Sequence, residues 1–224
     1  MNYKRLFWQV PFLLILIIGT VLIIRQQQDL PYQHNRGTIF GTTYSITYQS
    51  DRDLHAEILA ELQHVDASLS MFNPSSTISR INRNERVEPD KMFIEVITLA
   101  QKVSEQTDGA FDITVAPLVN AWGFGFKQGT PPTPLVVDSL RQFVGYKKIK
   151  LSTTQPCTLV KSDPRIMLDC SAIAKGYGCD RVAKFLQSND IKNYMVEIGG
   201  EVVTQGINPN RVAWRIGVTK PEER

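Results

Sequence analysis

Three short segments of the sequence carry residues whose types and spacing could do chemistry. The first reads D-C-S-A-I-A-K from Asp169 to Lys175, with an acid at the end of a predicted strand and a predicted helix beginning at once. Lys175 follows Ser171 by four residues, so both side chains lie on one face of the first helical turns. Free N–H groups at a helix start, together with a lysine, favour the binding of a phosphate group.

Two other interpretations of this first segment stay open at the level of sequence. An aspartate or serine that caps a helix beside a solvated lysine is common and describes the residues equally well. A serine nucleophile activated by Lys175 is less well supported, because S-x-x-x-K differs from the S-x-x-K spacing of penicillin-recognising enzymes and no oxyanion partner is identifiable. Taken alone, the segment does not establish a site.

The second and third segments are equally ambiguous by themselves. Asp112 lies between aromatic residues and the Pro117 turn, as a site that grips a ring and its polar edge would need, but an aromatic-packed turn would look the same. The pair Gly199-Gly200 interrupts a β-rich run, which indicates a bulge or a backbone that something bulky approaches.

Several other chemistries are excluded or weakly supported. The run G-x-G-x-x-x-G from Gly123 is one residue too long for a dinucleotide fingerprint, and no P-loop motif is present. The spacing of the cysteines at 157, 170 and 179 matches no zinc pattern, so we expect buried free thiols, with one disulfide left open. The three histidines, at 34, 55 and 64, lie far from these segments and are assigned no catalytic role.

Hydrophobic periodicity predicts the elements that must position these residues. Helices are expected over 53–69, 90–107, 134–143 and 171–188, with a short helical turn ending near Asn82. Strands are expected from Arg36 onward and near 147–152, 157–161, 165–169, 194–204 and 212–218. The long segment between the second and third helices is predicted to be a structured loop. Because helices and strands do not alternate regularly, the fold class is α+β with a mixed or largely antiparallel sheet.

The amino-terminal residues form a separate unit. Leu6 to Ile24 are nineteen consecutive positions without a charge, and at ~1.5 Å per residue they would span roughly the ~30 Å of a bilayer core. No small-residue cleavage site follows, so an uncleaved transmembrane anchor is favoured over a signal peptide. Lys4 and Arg5 precede the run and Arg25 follows it, which places the amino terminus in the cytoplasm and the remaining chain outside it.

The chain is thereby divided into an anchor (1–29), a linker (30–36) and a globular domain (37–224). The full chain of 224 residues has a formal charge of +3, to which the membrane flanks contribute a large part. The near-neutral remainder has no run of basic residues that would indicate a nucleic-acid partner. At 42% hydrophobic residues the chain can fill a core, which excludes intrinsic disorder.

In their order along the chain, these segments resemble one family. The motifs are G-T-x-Y-S-I around Thr42–Ile46, S-x-F-N-P-S-S-x-I-S-R-I-N from Ser70 to Asn82, G-A-F-D-I-T-V-A-P-L with W-G-F-G, the D-x-S-A-I-A-K-G-Y-x-x-D block ending at Asp180, I-G-G-E, and W-R-I-G-V-x-x-P. Together they resemble the ApbE family, the FAD:protein FMN transferases once called thiamine-biosynthesis lipoproteins.

The resemblance implies a role for particular positions. Phe40 and Phe72 match apolar and stacking contacts to the flavin, and Ala110, Phe111 and Asp112 match the flavin-contacting tripeptide. Asp169 and Lys175 match catalytic residues that also contact FAD at the helix start. Ala172 matches a residue whose main-chain oxygen helps to bind Mg²⁺, a metal that accepts carbonyl ligands.

The implied reaction is Mg²⁺-dependent transfer of FMN from FAD to a threonine or serine hydroxyl of an acceptor protein, with release of AMP. The resemblance implies acceptors that are subunits of membrane redox complexes of the sodium-translocating NADH:quinone oxidoreductase type. The family pattern continues with further strands and metal ligands beyond the motif near Arg224, so the domain is expected to be C-terminally incomplete. FAD pyrophosphatase activity and a non-catalytic, membrane-anchored flavin-binding role are therefore the alternatives.

Overall fold

The computed structural model describes residues 3–28, 30–124, 131–152 and 156–218, with side chains described from residue 10 except at 24 and 26–28. The helices are α1 (Tyr3–Gln28), α2 (His55–Leu69), α3 (Thr77–Asn82), α4 (Lys91–Gln106), α5 (Ala116–Ala121), α6 (Pro134–Arg141) and α7 (Ser171–Ser188), with a 3₁₀ turn at Tyr146–Lys148. The strands are β1 (Tyr32–Ile39), β2 (Thr42–Gln49), β3 (Ile149–Ser152), β4 (Thr158–Lys161), β5 (Tyr194–Ile198) and β6 (Glu201–Gln205).

The main sheet has four strands in the order β1-β2-β5-β6, and every neighbouring pair is antiparallel. Two-residue turns with positive φ at both positions join its hairpins. Phe40 (φ 54°) and Gly41 (φ 73°) connect β1 to β2, while Gly199 (φ 55°) and Gly200 (φ 93°) connect β5 to β6. Such turns match the right-handed twist of the strands that they join. The predicted α+β class with an antiparallel sheet is confirmed.

The core consists of two hydrophobic clusters. In one, alternate residues of β2 and β5 pack against α2 and the later turns of α7, because successive side chains of a strand point to opposite faces. In the other, α3 and α4 pack against the end of α2, the β3–β4 hairpin and the segment that leads into α7. The Phe40 side chain contacts both clusters, so the tip of the first hairpin lies where they meet.

The four predicted long helices are confirmed to within about two residues at each end. Side-chain caps explain the starts of α4 and α6, since Asp90 accepts a hydrogen bond from Phe93 N at 3.0 Å and Thr133 accepts one from Val136 N. Helix α7 begins at Ser171 as predicted.

Five of the expectations for irregular regions are wrong. Most of the predicted linker, 32–36, belongs to β1, because β2 offers it a pairing partner. The predicted strand 194–204 is two strands joined by a tight turn rather than one bulged strand. Residues 165–169 and 212–218 form no strand, since the latter has only a bridge between Ile207 and Ala213. The predicted long loop contains helix α5, and its residues 125–130 lie outside the described part.

Within the described part of the chain, no helix has both the length and the hydrophobicity that crossing a membrane requires. The predicted anchor, 6–24, includes residues 6–9 and 24, whose side chains lie outside the described residues. The side chains of α1 that are described are mostly exposed and apolar, among them Phe12 and Ile15.

Candidate functional site

A cleft of about 130 Å³ lies at the junction of three elements that are distant in sequence. The β1–β2 turn contributes Phe40, the end of α2 and the loop after it contribute residues 69–72, and the first turns of α7 contribute Ser171, Ala174 and Lys175. The structure therefore brings together three residues that the sequence singled out in separate motifs, namely Phe40, Phe72 and Lys175.

Phe40 is held in the cleft by a close approach to α7. It lies at the tip of the first hairpin, and its ring packs over Gly178, where a Cβ atom would come within 2.9 Å of Phe40 Cε2. Gly178 is buried, so no larger residue fits beneath the ring without displacing it. A flat aromatic surface is thus positioned at the mouth of the cleft.

Phe72 also lines the cleft, from the loop between α2 and α3, and it is 58% exposed. It lines in addition a groove of about 390 Å³, together with Met71, Asn82 and Met167. Cavities that bind drug-sized ligands typically measure roughly 300–1,000 Å³. The groove falls in that range and the cleft alone does not, so a ligand the size of a dinucleotide would need the groove as well as the cleft.

The amino end of α7 borders the cleft and is organised by Asp169. The Asp169 side chain is 9% exposed, and its Oδ1 accepts a hydrogen bond from Ser171 N at 2.7 Å. Its backbone N–H donates to Ile113 O at 2.7 Å. The carboxylate thus uses one oxygen at the helix start, while Ser171 and Ala172 stay exposed. This end of α7 carries the positive end of the helix dipole.

Lys175 supplies the positive charge of the cleft. Its Nζ donates to Gly199 O at 3.0 Å and lies 3.5 Å from the Glu201 carboxylate, which is half exposed. The close approach suspected at the glycine pair is real at Gly199, where a Cβ atom would lie 2.7 Å from Thr42 Cγ2 and 3.1 Å from Lys175 Cδ. Sequence reasoning missed the contact of Glu201 with Lys175, although the glutamate follows the glycine pair directly.

The predicted tripeptide Ala110, Phe111 and Asp112 does not line the cleft. Asp112 Oδ1 accepts from Thr114 N at 2.8 Å and Thr114 Oγ1 at 2.6 Å, and Oδ2 accepts from Tyr146 N at 2.7 Å. This carboxylate therefore braces the turn before β3. Ala110 is exposed and Phe111 packs against the second cluster, so their flavin contact stays a prediction.

The cysteines are free and buried, as the sequence favoured. Burial raises the pKa of Cys170 and that of Cys179 to about 12, so neither thiol is a nucleophile near neutral pH. Within the described residues, no group of three or more His, Cys, Asp or Glu side chains could hold a metal ion.

Comparison with known proteins identifies the family. The model of the ApbE family matches residues 40–224 of the sequence. The chain belongs to the ApbE family. The FAD:protein FMN transferase of Haemophilus influenzae is 39% identical over 83% of this chain and 58% of its own length. The enzyme of that name from Vibrio cholerae is 35% identical over 93% of this chain and 65% of its own length.

Solved ApbE structures share the fold. The flavin transferase ApbE from Vibrio cholerae superposes with a TM-score of 0.79 at 37% identity, over 86% of this chain and 65% of that protein. The ApbE resemblance inferred from the motifs is thus confirmed. The chain spans about 58–65% of the length of these two curated relatives.

Proposed function

We propose that this protein is an FAD:protein FMN transferase. The observation that carries the proposal is the convergence of Phe40, Phe72 and Lys175 on one cleft at the amino end of α7, in a chain of the ApbE family. Two aromatic rings suit a flavin ring system, and a lysine beside the positive end of a helix dipole suits a pyrophosphate. The curated relatives described above are named for the same activity.

The reaction is a phosphoryl transfer. The hydroxyl oxygen of a threonine or serine on the acceptor attacks the phosphorus on the riboflavin side of the FAD pyrophosphate. The bond from that phosphorus to the bridging oxygen breaks, AMP leaves with the bridging oxygen, and the hydroxyl proton is released. FMN stays on the acceptor through a phosphoester. Such chemistry needs mainly alignment and neutralisation of developing charge on oxygen.

In this proposal each part of the cleft has a separate task. Phe40 and Phe72 hold the flavin ring, which orients the riboflavin-side phosphorus. Lys175 leaves Gly199 O and Glu201 to bind phosphate oxygens, and the N–H groups at the start of α7 add to the positive field. Asp169 keeps that helix start in place through its bond to Ser171 N.

Mg²⁺ fits part of this site. The second carboxylate oxygen of Asp169, Oδ2, has no hydrogen-bond partner among the described residues, and the main-chain oxygen of Ala172 belongs to the exposed helix start. Mg²⁺ is typically bound by one or two protein oxygens together with substrate phosphates and waters. We propose that these two oxygens hold the ion, which would stabilise negative charge on the phosphate oxygens.

We also retain as proposals the location and partners of the protein. The uncharged run from Leu6 to Ile24 would anchor the chain in the cytoplasmic membrane, with the domain on the periplasmic or outer side. Acceptors would then be subunits of membrane redox complexes of the sodium-translocating NADH:quinone oxidoreductase type. The exposed apolar side chains of α1 and the charge bias around it support this arrangement.

The test is to incubate the full chain with FAD, Mg²⁺ and a threonine-bearing acceptor protein. Transfer should give a fluorescent acceptor band on a denaturing gel and an equal amount of AMP. Free FMN and AMP formed without acceptor would instead show an FAD pyrophosphatase. FAD binding that survives chelation, with no turnover, would show a flavin-binding protein without catalysis.

Two variants test the site within this assay. We expect Asp169→Ala and Lys175→Ala each to lower transfer about 100-fold, the usual effect of removing one group that stabilises charge in a transition state. Lys192→Ala is the control, because this exposed lysine does not line the cleft. Wild-type turnover in both site variants would refute the phosphate-site assignment.

A further inference from the structure

The side chain of Asn82 binds both backbone groups of one distant residue. Asn82 is the last residue of α3, and its Nδ2 donates to Leu168 O at 2.9 Å while its Oδ1 accepts from Leu168 N at 2.8 Å. A side-chain amide has one donor group and one acceptor on the same plane, so it can pair with a peptide as a neighbouring strand would. This contact joins positions 86 residues apart.

Residues 165–169 are predicted to be a strand from the sequence, but they form none, and the pairing with Asn82 takes the place of a strand partner. Leu168 is completely buried, so its N–H and C=O groups need partners, and no strand lies beside them. Asn82 supplies both. The next residue is Asp169, whose own N–H is bound by Ile113 O. Asn82 and Ile113 together therefore determine where Asp169 lies and where α7 begins.

The same short segment carries Phe72 at one end and Asn82 at the other. Both line the 390 Å³ groove, together with Met167 from the segment that Asn82 holds. The Ser76 hydroxyl donates to Ser70 O at 2.6 Å, and the Ser79 hydroxyl contacts the same carbonyl, so the loop and α3 form one internally bonded unit. A shift at Asn82 would therefore change the position of the α7 start relative to Phe72.

We propose that Asn82 is a positioning residue for FAD binding, which sets the amino end of α7 against the Phe72 wall of the cleft. This inference rests on the proposed function, because it assumes that FAD binds there. Asn82, the last residue of the Ser70–Asn82 motif, thereby has a role of its own. From the sequence, a role was expected in this motif only for Phe72.

Asn82→Asp separates this role from simple packing. The substitution keeps nearly the same shape and retains an acceptor for Leu168 N, but an ionised carboxylate has no donor for Leu168 O. A residue that only fills space would tolerate this change, whereas a residue that holds Leu168 by both of its backbone groups would not. Asn82→Asp should therefore lose FAD affinity although it keeps the shape of the side chain, as Asn82→Ala does.

The experiment measures FAD affinity of the full chain by flavin fluorescence titration at pH 8. We expect Asn82→Asp and Asn82→Ala to bind about tenfold more weakly than wild type, because a buried backbone group loses its partner.

The matched control is Asn84→Gly. Asn84 Nδ2 donates to Pro164 O at 3.1 Å in the same segment, but Lys161 Nζ also donates to that oxygen, and the φ of 62° at Asn84 suits glycine. This variant should bind FAD as wild type does. Equal affinity of wild type and Asn82→Ala, or of wild type and Asn82→Asp, would overturn the inference.

Amide hydrogen exchange keeps the inference separate from the proposed function. In the ligand-free chain, Asn82→Ala should speed exchange at Leu168, Asp169 and Ser171 at least tenfold, with no change in β2 or β5. Unchanged exchange at these amides would overturn the positioning role even if FAD binds. If wild type binds no FAD, the proposed function fails and the inference about FAD fails with it, while faster exchange would still show that Asn82 holds the helix start.

Discussion

At the scale of single residues, the charge on Lys175 is available to a ligand. Its two partners are a neutral carbonyl and a half-exposed carboxylate at 3.5 Å. An exposed ion pair of this kind contributes about 0–1 kcal/mol, so a pyrophosphate with two negative charges can displace it. The Lys175 ammonium group is thus held in the cleft by weak contacts that a ligand can replace.

The carboxylate of Asp163 affects the stability of the fold at low pH. Its carboxylate accepts bonds from Arg165 N and Nε and pairs with the guanidinium at 2.7 Å, which lowers the pKa of Asp163 from 3.8 to about 2. Because the folded pKa lies below the unfolded one, the stabilisation is complete above pH 4 and is lost as the pH falls through 2.

We therefore expect Asp163→Asn to reduce the loss of stability between pH 4 and pH 2. Urea unfolding at intervals across this range measures it, with Asp138→Asn on α6 as the control for loss of an exposed carboxylate elsewhere in the chain. If the free energy of unfolding falls equally steeply between pH 4 and pH 2 in wild type and in Asp163→Asn, the assignment is contradicted.

At the scale of elements, two hairpin tips and one helix meet beside the cleft. The β1–β2 tip carries Phe40, the β5–β6 tip offers the Gly199 carbonyl, and α7 lies beneath both with Gly178 and Lys175. Their close packing depends on missing side chains at Gly178 and Gly199. Neighbouring glycines in the same elements lack such contacts, which provides matched comparisons.

The first comparison is within the β5–β6 turn. Gly199→Ala and Gly200→Ala both place a side chain at positive φ, at a cost of about 1–2 kcal/mol. Only Gly199→Ala also collides with Thr42, so we expect it to cost roughly 1–3 kcal/mol more and to weaken FAD binding. Chemical denaturation and FAD titration of the two variants check this. Equal effects of the two substitutions would show that the close approach of residue 199 to Thr42 affects neither stability nor FAD binding.

The second comparison is within α7. A Cβ atom at Gly176 meets nothing within 4 Å, so Gly176→Ala should stabilise the helix by about 0.5–1 kcal/mol. Gly178→Ala should displace the Phe40 ring and lower FAD affinity, with little gain in stability. Thermal unfolding and FAD titration of both variants measure the difference. Unaltered FAD affinity in Gly178→Ala would mean that Phe40 does not position the flavin.

At the scale of the whole molecule, the buried core lies outside the amino-terminal helix. Among the described side chains, none of those in the two hydrophobic clusters belongs to α1, and those of α1 that are described are mostly exposed. We therefore expect the two clusters to keep their stability without α1.

Removal of residues 1–29 should accordingly change the thermal unfolding temperature of the domain by less than about 2 °C. A loss of roughly 1 kcal/mol in the free energy of unfolding would lower that temperature by more than this. Calorimetry measures this. Flotation with lipid vesicles tests the anchor in parallel, since the full chain should float and the shortened chain should not. A large drop in unfolding temperature would show that α1 belongs to the domain.

What the sequence by itself determined was the family, the α+β class and the positions of the long helices. Helices can be predicted from local sequence, through a period of 3.6 residues and caps such as Asp90 and Thr133. The ordered motifs can likewise be identified without any knowledge of packing. Phe40, Phe72 and Lys175 were identified in this way, and the structure brings them to one cleft.

Only the tertiary structure decided which backbone groups meet across the chain. Residues 165–169 are predicted to be a strand, yet Asn82 pairs with Leu168 where a neighbouring strand would. Residues 32–36 are predicted to be a linker, yet they pair with β2. Likewise Asp112 turns away from the cleft to brace the turn before β3. Each of these outcomes depends on a partner from a distant part of the sequence, and local periodicity contains no information about that partner.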